Sequence, residues 1–231
     1  MLDELKKEVY KANMLLKESG LVILTWGNAS AIDRETGLIV IKPSGVEYDE
    51  LSPNNLVVIN MNGDVVEGDL KPSSDTKTHI ELYKHFNSIG GIVHTHSHYA
   101  TSWAQAGKEI PPFGTTHADT FYGNIPCTRP MSYEEIEGSY EKETGRVIVE
   151  LFRNNNIDEN NMGAVLVKSH GPFTWGQSVA EAVENAIILE ETAKMAFNTE
   201  LLNHNQEPIE SVLLNKHFFR KHGKDAYYGQ Y

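Results

Sequence analysis

The chain has 231 residues, enough for one large domain (1–231) with a substantial core. Its 40% hydrophobic and 23% charged residues are those of an ordinary globular protein, not of a disordered or fibrous one. With 20 Lys and Arg against 32 Asp and Glu the formal charge is -12, which repels polyanions and argues against nucleic acid or an anionic membrane surface as a partner, so any anionic ligand must be small and locally captured. The lone Cys127 cannot form an internal disulfide, which excludes a disulfide-stapled secreted scaffold and fits a reducing cytoplasm.

In chain order, Leu2, Leu5, Val9, Ala12, Leu15 and Leu16 recur at helical spacing between lysines and acids, unlike the continuous apolar block of a signal peptide. Leu21 to Thr25 and Leu38 to Ile41 read as strands ending in the turns Trp26-Gly27-Asn28 and Lys42-Pro43-Ser44-Gly45. Leu56 to Asn60 and Asp64 to Glu67 flank Met61-Asn62-Gly63, a hairpin signal that favours antiparallel pairing. A helix follows over Thr76 to Phe86, a strand over Ile92 to His96, and a short helix over Ala100 to Ala106 before Pro111 and Pro112 break the pattern. Helical spacing returns from Tyr133 to about Phe152, and Ala164 to Lys168 is a buried-looking strand ending at Ser169-His170-Gly171. Helices over Val179 to about Asn198 and Ser211 to Lys221 leave the tail Gly223 to Tyr231. No stretch approaches the roughly 20 apolar residues of a membrane span. The order suggests an α/β layered domain with a mixed or antiparallel sheet.

Ten histidines are the compositional oddity. Strand alternation puts His94 and His96 on one face about 7 Å apart. His170 ends another apolar strand in the same way, and three nitrogen donors with an open position is the usual catalytic divalent-metal arrangement. His98 shares the parity but falls where strand yields to helix. Ser73-Ser74-Asp75-Thr76 precedes a helix whose free N–H groups favour an anion, though plain N-capping accounts for the same residues. Asp119 is a general acid or base, or a turn residue. The aromatic tail Ala226-Tyr227-Tyr228-Gly229-Gln230 docks either on another subunit or on its own domain.

Taken together in this order, His94-Thr95-His96, His170-Gly171, Lys42-Pro43-Ser44-Gly45, Lys71-Pro72-Ser73-Ser74-Asp75 and Asp119 resemble the class II aldolase and adducin superfamily. Within it, the chain is similar to the L-ribulose-5-phosphate 4-epimerase family along essentially its whole length. The resemblance implies a three-layer α/β/α fold with a central, mainly antiparallel sheet. It also implies a cyclic (C4) homotetramer and a divalent ion, usually zinc, one per subunit, in a site at each subunit junction. By the same resemblance His94, His96 and His170 hold the metal, with Asp75 beside it as a further ligand. Gly27, Asn28, Ser44, Gly45, Ser73 and Ser74 would contact a small sugar phosphate, with Lys42 close by. Asp119 and Tyr228, the latter from a neighbouring chain, would move protons in a 4-epimerisation that proceeds by retro-aldol cleavage and recombination. Two other implied activities compete. Aldolases of the superfamily resemble Ser-Ser-Glu where this chain has Ser73-Ser74-Asp75, and a non-catalytic adducin-like module would be expected to lose the three histidines.

Overall fold

The structure is a computed structural model that describes residues 2–222 and 226–228. Seven strands form one antiparallel sheet in the order β4-β3-β2-β1-β5-β7-β6: β1 (Asn28–Asp33), β2 (Leu38–Ile41), β3 (Val57–Ile59), β4 (Val65–Glu67), β5 (Gly91–His94), β6 (Ala164–Val167) and β7 (Gly171–Gly176). The helices are α1 (Asp3–Glu18), α2 (Thr76–His85), α3 (His98–Ala106), α4 (Thr115–Ala118), α5 (Tyr133–Glu137), α6 (Tyr140–Asn154), α7 (Val179–Leu202) and α8 (Ser211–His222). Alternation sorts the core into two layers. Ala29, Ala31, Val40, Val58 and Val93 face α1 and the start of α7, whereas Ile39, Ile41, Val57, Ile59 and Ile92 pack with residues of α2, α3 and α6. This is the α/β/α layering expected from the sequence. No described helix is long and apolar enough to cross a membrane.

Several element boundaries differ from expectation. Leu21 to Thr25 is no strand: Leu24 takes a left-handed φ of 54°, Ile23 and Leu24 are exposed, and the strand starts at Asn28. Propensity could not show β1, because its Asn-Ala-Ser-Ala core lacks the branched residues that mark strands. What holds it is tertiary: buried Asn13 of α1 donates to the Ala29 carbonyl and accepts from the Ala29 N–H. The sequence reading also passed over β7, whose glycine ends and Pro172 resemble a loop; its buried Phe173 and Trp175 supply the packing that fixes it. The expected helix from Tyr133 divides at Gly138 into α5 and α6, and β5 stops at His94 rather than His96. The hairpin does form, with Asn60 Oδ1 accepting from the N–H groups of Asn62 and Asp64.

On α4, His117 is 4% exposed, bonds the Gly123 carbonyl at 2.8 Å and meets Phe121 edge-on. Burial pushes its pKa from 6.5 down to about 4, partly offset by the bond to Gly123. Between these values the unfolded chain binds the proton and the folded one does not. The stability is therefore present above 6.5 and is lost as pH falls, at about 1.4 kcal/mol per pH unit for this group. Urea unfolding between about pH 7 and pH 5 should show that slope reduced by one group's worth in His117→Gln. Equal slopes in the two proteins would remove His117 as a source of acid lability.

Candidate metal centre and active-site cleft

Three loops at one end of the sheet build a cleft of about 390 Å³. The first leads into β1: Gly27, at φ 77°, leaves no room for a Cβ, which would lie 2.9 Å from the His94 carbonyl. Only glycine lets this turn close on the histidine strand. The Tyr48 hydroxyl donates to the Trp26 and Gly27 carbonyls from the second loop, which follows β2. That loop is bonded to the third, ahead of α2, through Ser44 N–H to the Lys71 carbonyl and Ser73 N–H to the Lys42 carbonyl.

His94, His96 and His170 offer ring nitrogens that all lie within 4.8 Å of one another. His94 Nδ1 lies 2.8 Å from the Pro172 carbonyl, which can only accept, so Nδ1 carries the proton and Nε2 presents a lone pair. Nε2 of His96 is 3.1 Å from it. His96 lies beyond the strand that was expected to carry it, yet its ring still converges on that of His94. Phe173 stacks on the His94 ring at 4.2 Å and forms the floor, while Trp26 stands 6.0 Å from His96 at the mouth. The β6–β7 turn presents His170, with Ser169 at φ 61°. Burial, with His94 and His96 adding to it, pushes the His170 pKa down to about 3, and His96 is also lowered, chiefly by burial. Unprotonated rings with converging lone pairs are what a divalent cation requires, so the residues fit one.

Asp75 faces this group. Burial alone would raise its pKa, but any positive charge on the neighbouring histidines and a 2.8 Å bond from Asn28 Nδ2 act the other way and leave it lowered. It occupies the N-cap position of α2 without capping it, because its carboxylate is turned to Asn28. Capping therefore does not explain the motif. Asn28 also donates to Ser73 Oγ at 3.0 Å, and its buried Oδ1 has no partner among the described residues. Gly27, Ser44, Gly45, Ser73 and Ser74 line the same cleft.

Lys42 lines the cleft with these residues. Lys42 is 1% exposed, and its ammonium donates to the Val46 carbonyl at 2.7 Å and lies 4.8 Å from the Tyr48 ring centre. Burial, partly offset by Glu47, lowers its pKa to about 8. It therefore braces the Ser44–Gly45 loop while lining the cleft beside it. Asp119 does not line the cleft of its own chain. Its neighbour Thr120 shares a small cavity with Gly176, Gln177 and His222, at the end of β7 opposite His170. By strand rise that separation is about 17 Å. Asp119 is held by Arg220 and His217 of α8, and the Tyr228 ring lies against the same Arg220. Gly229 and Gln230 of the expected tail lie outside the described residues.

The sequence reading missed Tyr140 and Glu141, which line the cleft, with the Tyr140 hydroxyl 3.5 Å from His170 Nδ1. The Gly138-Ser139 break that starts α6 just ahead of them was the available signal.

Residues 7–197 match the family described as class II aldolase and adducin N-terminal domain. An L-fuculose 1-phosphate aldolase superposes with a TM-score of 0.78 at 26% identity, covering 93% of this chain and 94% of its own. YgbL of Klebsiella pneumoniae, for which aldolase, epimerase or decarboxylase activity has been suggested, gives 0.70 at 26% identity over 94% and 99%. An L-fuculose 1-phosphate aldolase of Glaciozyma antarctica PI12, at 18% identity and a TM-score of 0.75 over 94% and 80%, shares the fold.

Proposed function

Because the chain belongs to the class II aldolase and adducin family, whose aldolases depend on a divalent metal, we propose that it is a sugar-phosphate 4-epimerase interconverting L-ribulose 5-phosphate and D-xylulose 5-phosphate in pentose (L-arabinose) catabolism. The observation that carries the reading is the pairing, in one cleft, of three converging imidazoles with an ionised Asp75 and a hydroxyl-rich wall at the start of α2. The wall suits a phosphate: Ser73 and Ser74 supply hydroxyls and α2 supplies its dipole, in a protein otherwise charged -12.

Carbon 4 of such a substrate carries a hydrogen of negligible acidity, since the ketone at carbon 2 does not activate it. Cleavage between carbons 3 and 4 is the accessible route, giving the enediolate of dihydroxyacetone and glycolaldehyde phosphate. A divalent cation, Zn2+ in this proposal, held by His94, His96 and His170 with Asp75 beside them, would supply Lewis-acid stabilisation of that enediolate. The Ser44–Gly45 and Ser73–Ser74 loops anchor the phosphate while the aldehyde rotates, and recombination on the other face inverts carbon 4. One group must take the carbon 4 hydroxyl proton and another must return a proton on the opposite face. Asp119 and Tyr228 are assigned that pair. Their position at the far end of β7 supports delivery of both by a neighbouring copy, which extends the expectation made for Tyr228 alone. It also favours a ring-shaped homo-oligomer, a C4 tetramer, in the cytoplasm.

Two experiments test this reading. Turnover of L-ribulose 5-phosphate in D2O should give D-xylulose 5-phosphate without deuterium at carbon 4; deuterium there would point to direct deprotonation. Release of the two fragments as products would instead make the protein an aldolase. Ser74→Ala should weaken binding of the phosphorylated ketose about tenfold while metal content is unchanged. Equal weakening for unphosphorylated ribulose would return Ser74 to a packing role.

A further inference from the structure

Asp119 and Tyr228 are 109 positions apart in sequence, yet both are attached to one residue. The Arg220 guanidinium bonds Asp119 Oδ1 through Nε at 3.1 Å and Nη2 at 2.9 Å, and reaches Oδ2 through Nη2 at 2.9 Å. Its carbon lies 4.6 Å from the centre of the Tyr228 ring. The main-chain carbonyl of Arg220 accepts the N–H groups of Tyr227 at 2.9 Å and Tyr228 at 3.1 Å, so the arm is tied to the end of α8 at this residue. We propose that Arg220 is a positioning residue that presents Asp119 and the Tyr228 arm as one unit to a neighbouring copy's cleft. The inference rests on the reading of these two residues as the proton-transfer pair.

Among the described residues, the other charged and titratable groups facing Asp119 come from α8. His217 Nδ1 is 2.9 Å and Lys221 Nζ 3.8 Å from the carboxylate, and His222 Nε2 bonds the Asp119 carbonyl. Burial would raise the Asp119 pKa, but the bonds from Arg220 and His217 leave it lowered. Lys221 also lies 4.9 Å from the Tyr228 ring centre, but of these groups only Arg220 holds both oxygens within hydrogen-bond distance. A partly exposed ion pair contributes little to stability. An arginine placed here only to dock α8 would show itself in unfolding and not in the reaction.

Arg220→Gln keeps a polar side chain but removes the charge and the fork. In the assembled, metal-loaded enzyme the acid limb of kcat/KM should move up by about one pH unit or more, since the carboxylate loses its forked cation and keeps only His217 and the more distant Lys221. Added to Asp119→Asn, Arg220→Gln should cost much less than it costs alone, because Arg220 acts chiefly through Asp119. Arg220→Lys, which restores charge without the fork, should return the limb toward its original position but leave kcat low, and it serves equally well if Arg220→Gln folds poorly. An unmoved limb with losses that multiply on adding Asp119→Asn would overturn the inference and leave the proposed reaction standing. Full activity of Asp119→Asn would overturn both.

Discussion

Replacing His94 and His96 together by alanine is expected to abolish stoichiometric metal and lower turnover on the order of 10³-fold or more, with the circular dichroism spectrum retained. The ligands sit at loop and strand ends, and the core is built elsewhere, from the two faces of the sheet. Chelation of the wild-type protein should reproduce the loss, and adding back a divalent metal should reverse it. The chemistry needs both rings. Each presents Nε2 to the same point, and alanine at both positions leaves His170 as the one imidazole of the three. Full activity in the metal-free protein would remove the retro-aldol route, and a stoichiometric ion retained in the double variant would remove the site.

Tyr228→Phe carries the second large effect. It deletes one hydroxyl and keeps the ring over Arg220, so metal, assembly and substrate affinity should persist while epimerisation falls about 10²- to 10⁴-fold. Because Tyr228 lies with Asp119 at the opposite end of β7 from the histidines, it should act on a neighbour's cleft. Mixing inactive Tyr228→Phe with inactive His96→Asn subunits should then restore part of the activity, since some junctions combine an intact triad with an intact tyrosine. Verified subunit exchange without recovery would place the tyrosine's action within its own chain. An undiminished Tyr228→Phe would take it out of the chemistry.

The histidine cluster and its surrounding loops could be read from sequence because the chain writes them as short runs at strand ends: His94-Thr95-His96, Ser73-Ser74-Asp75, Ser44-Gly45. What each run touches could not be read there. Lys42 lies in the cleft wall as its motif suggests, but its bond to the carbonyl of Val46 is set by the fold of a loop and not by any local pattern. Ala29 and Ala31 give no strand signal; pairing with β2 and β5 makes them one, and Asn13, sixteen positions earlier than Ala29, bonds both main-chain groups of Ala29. Asp119 illustrates the same limit at longer range. Its place relative to the triad depends on the strand order β1-β5-β7-β6 and on where α8 returns, so proximity in a motif catalogue did not translate into proximity in one chain.

The central claim is that this cleft inverts carbon 4 with the help of a metal and returns the recombined sugar. Carbon-13 NMR of L-ribulose 5-phosphate labelled at carbon 4, followed with the metal-loaded protein and with the His94→Ala, His96→Ala variant, tests it most directly. The label is expected in D-xylulose 5-phosphate with the loaded protein alone. Label accumulating in free glycolaldehyde phosphate, or D-xylulose 5-phosphate formed equally well by the variant, would contradict it.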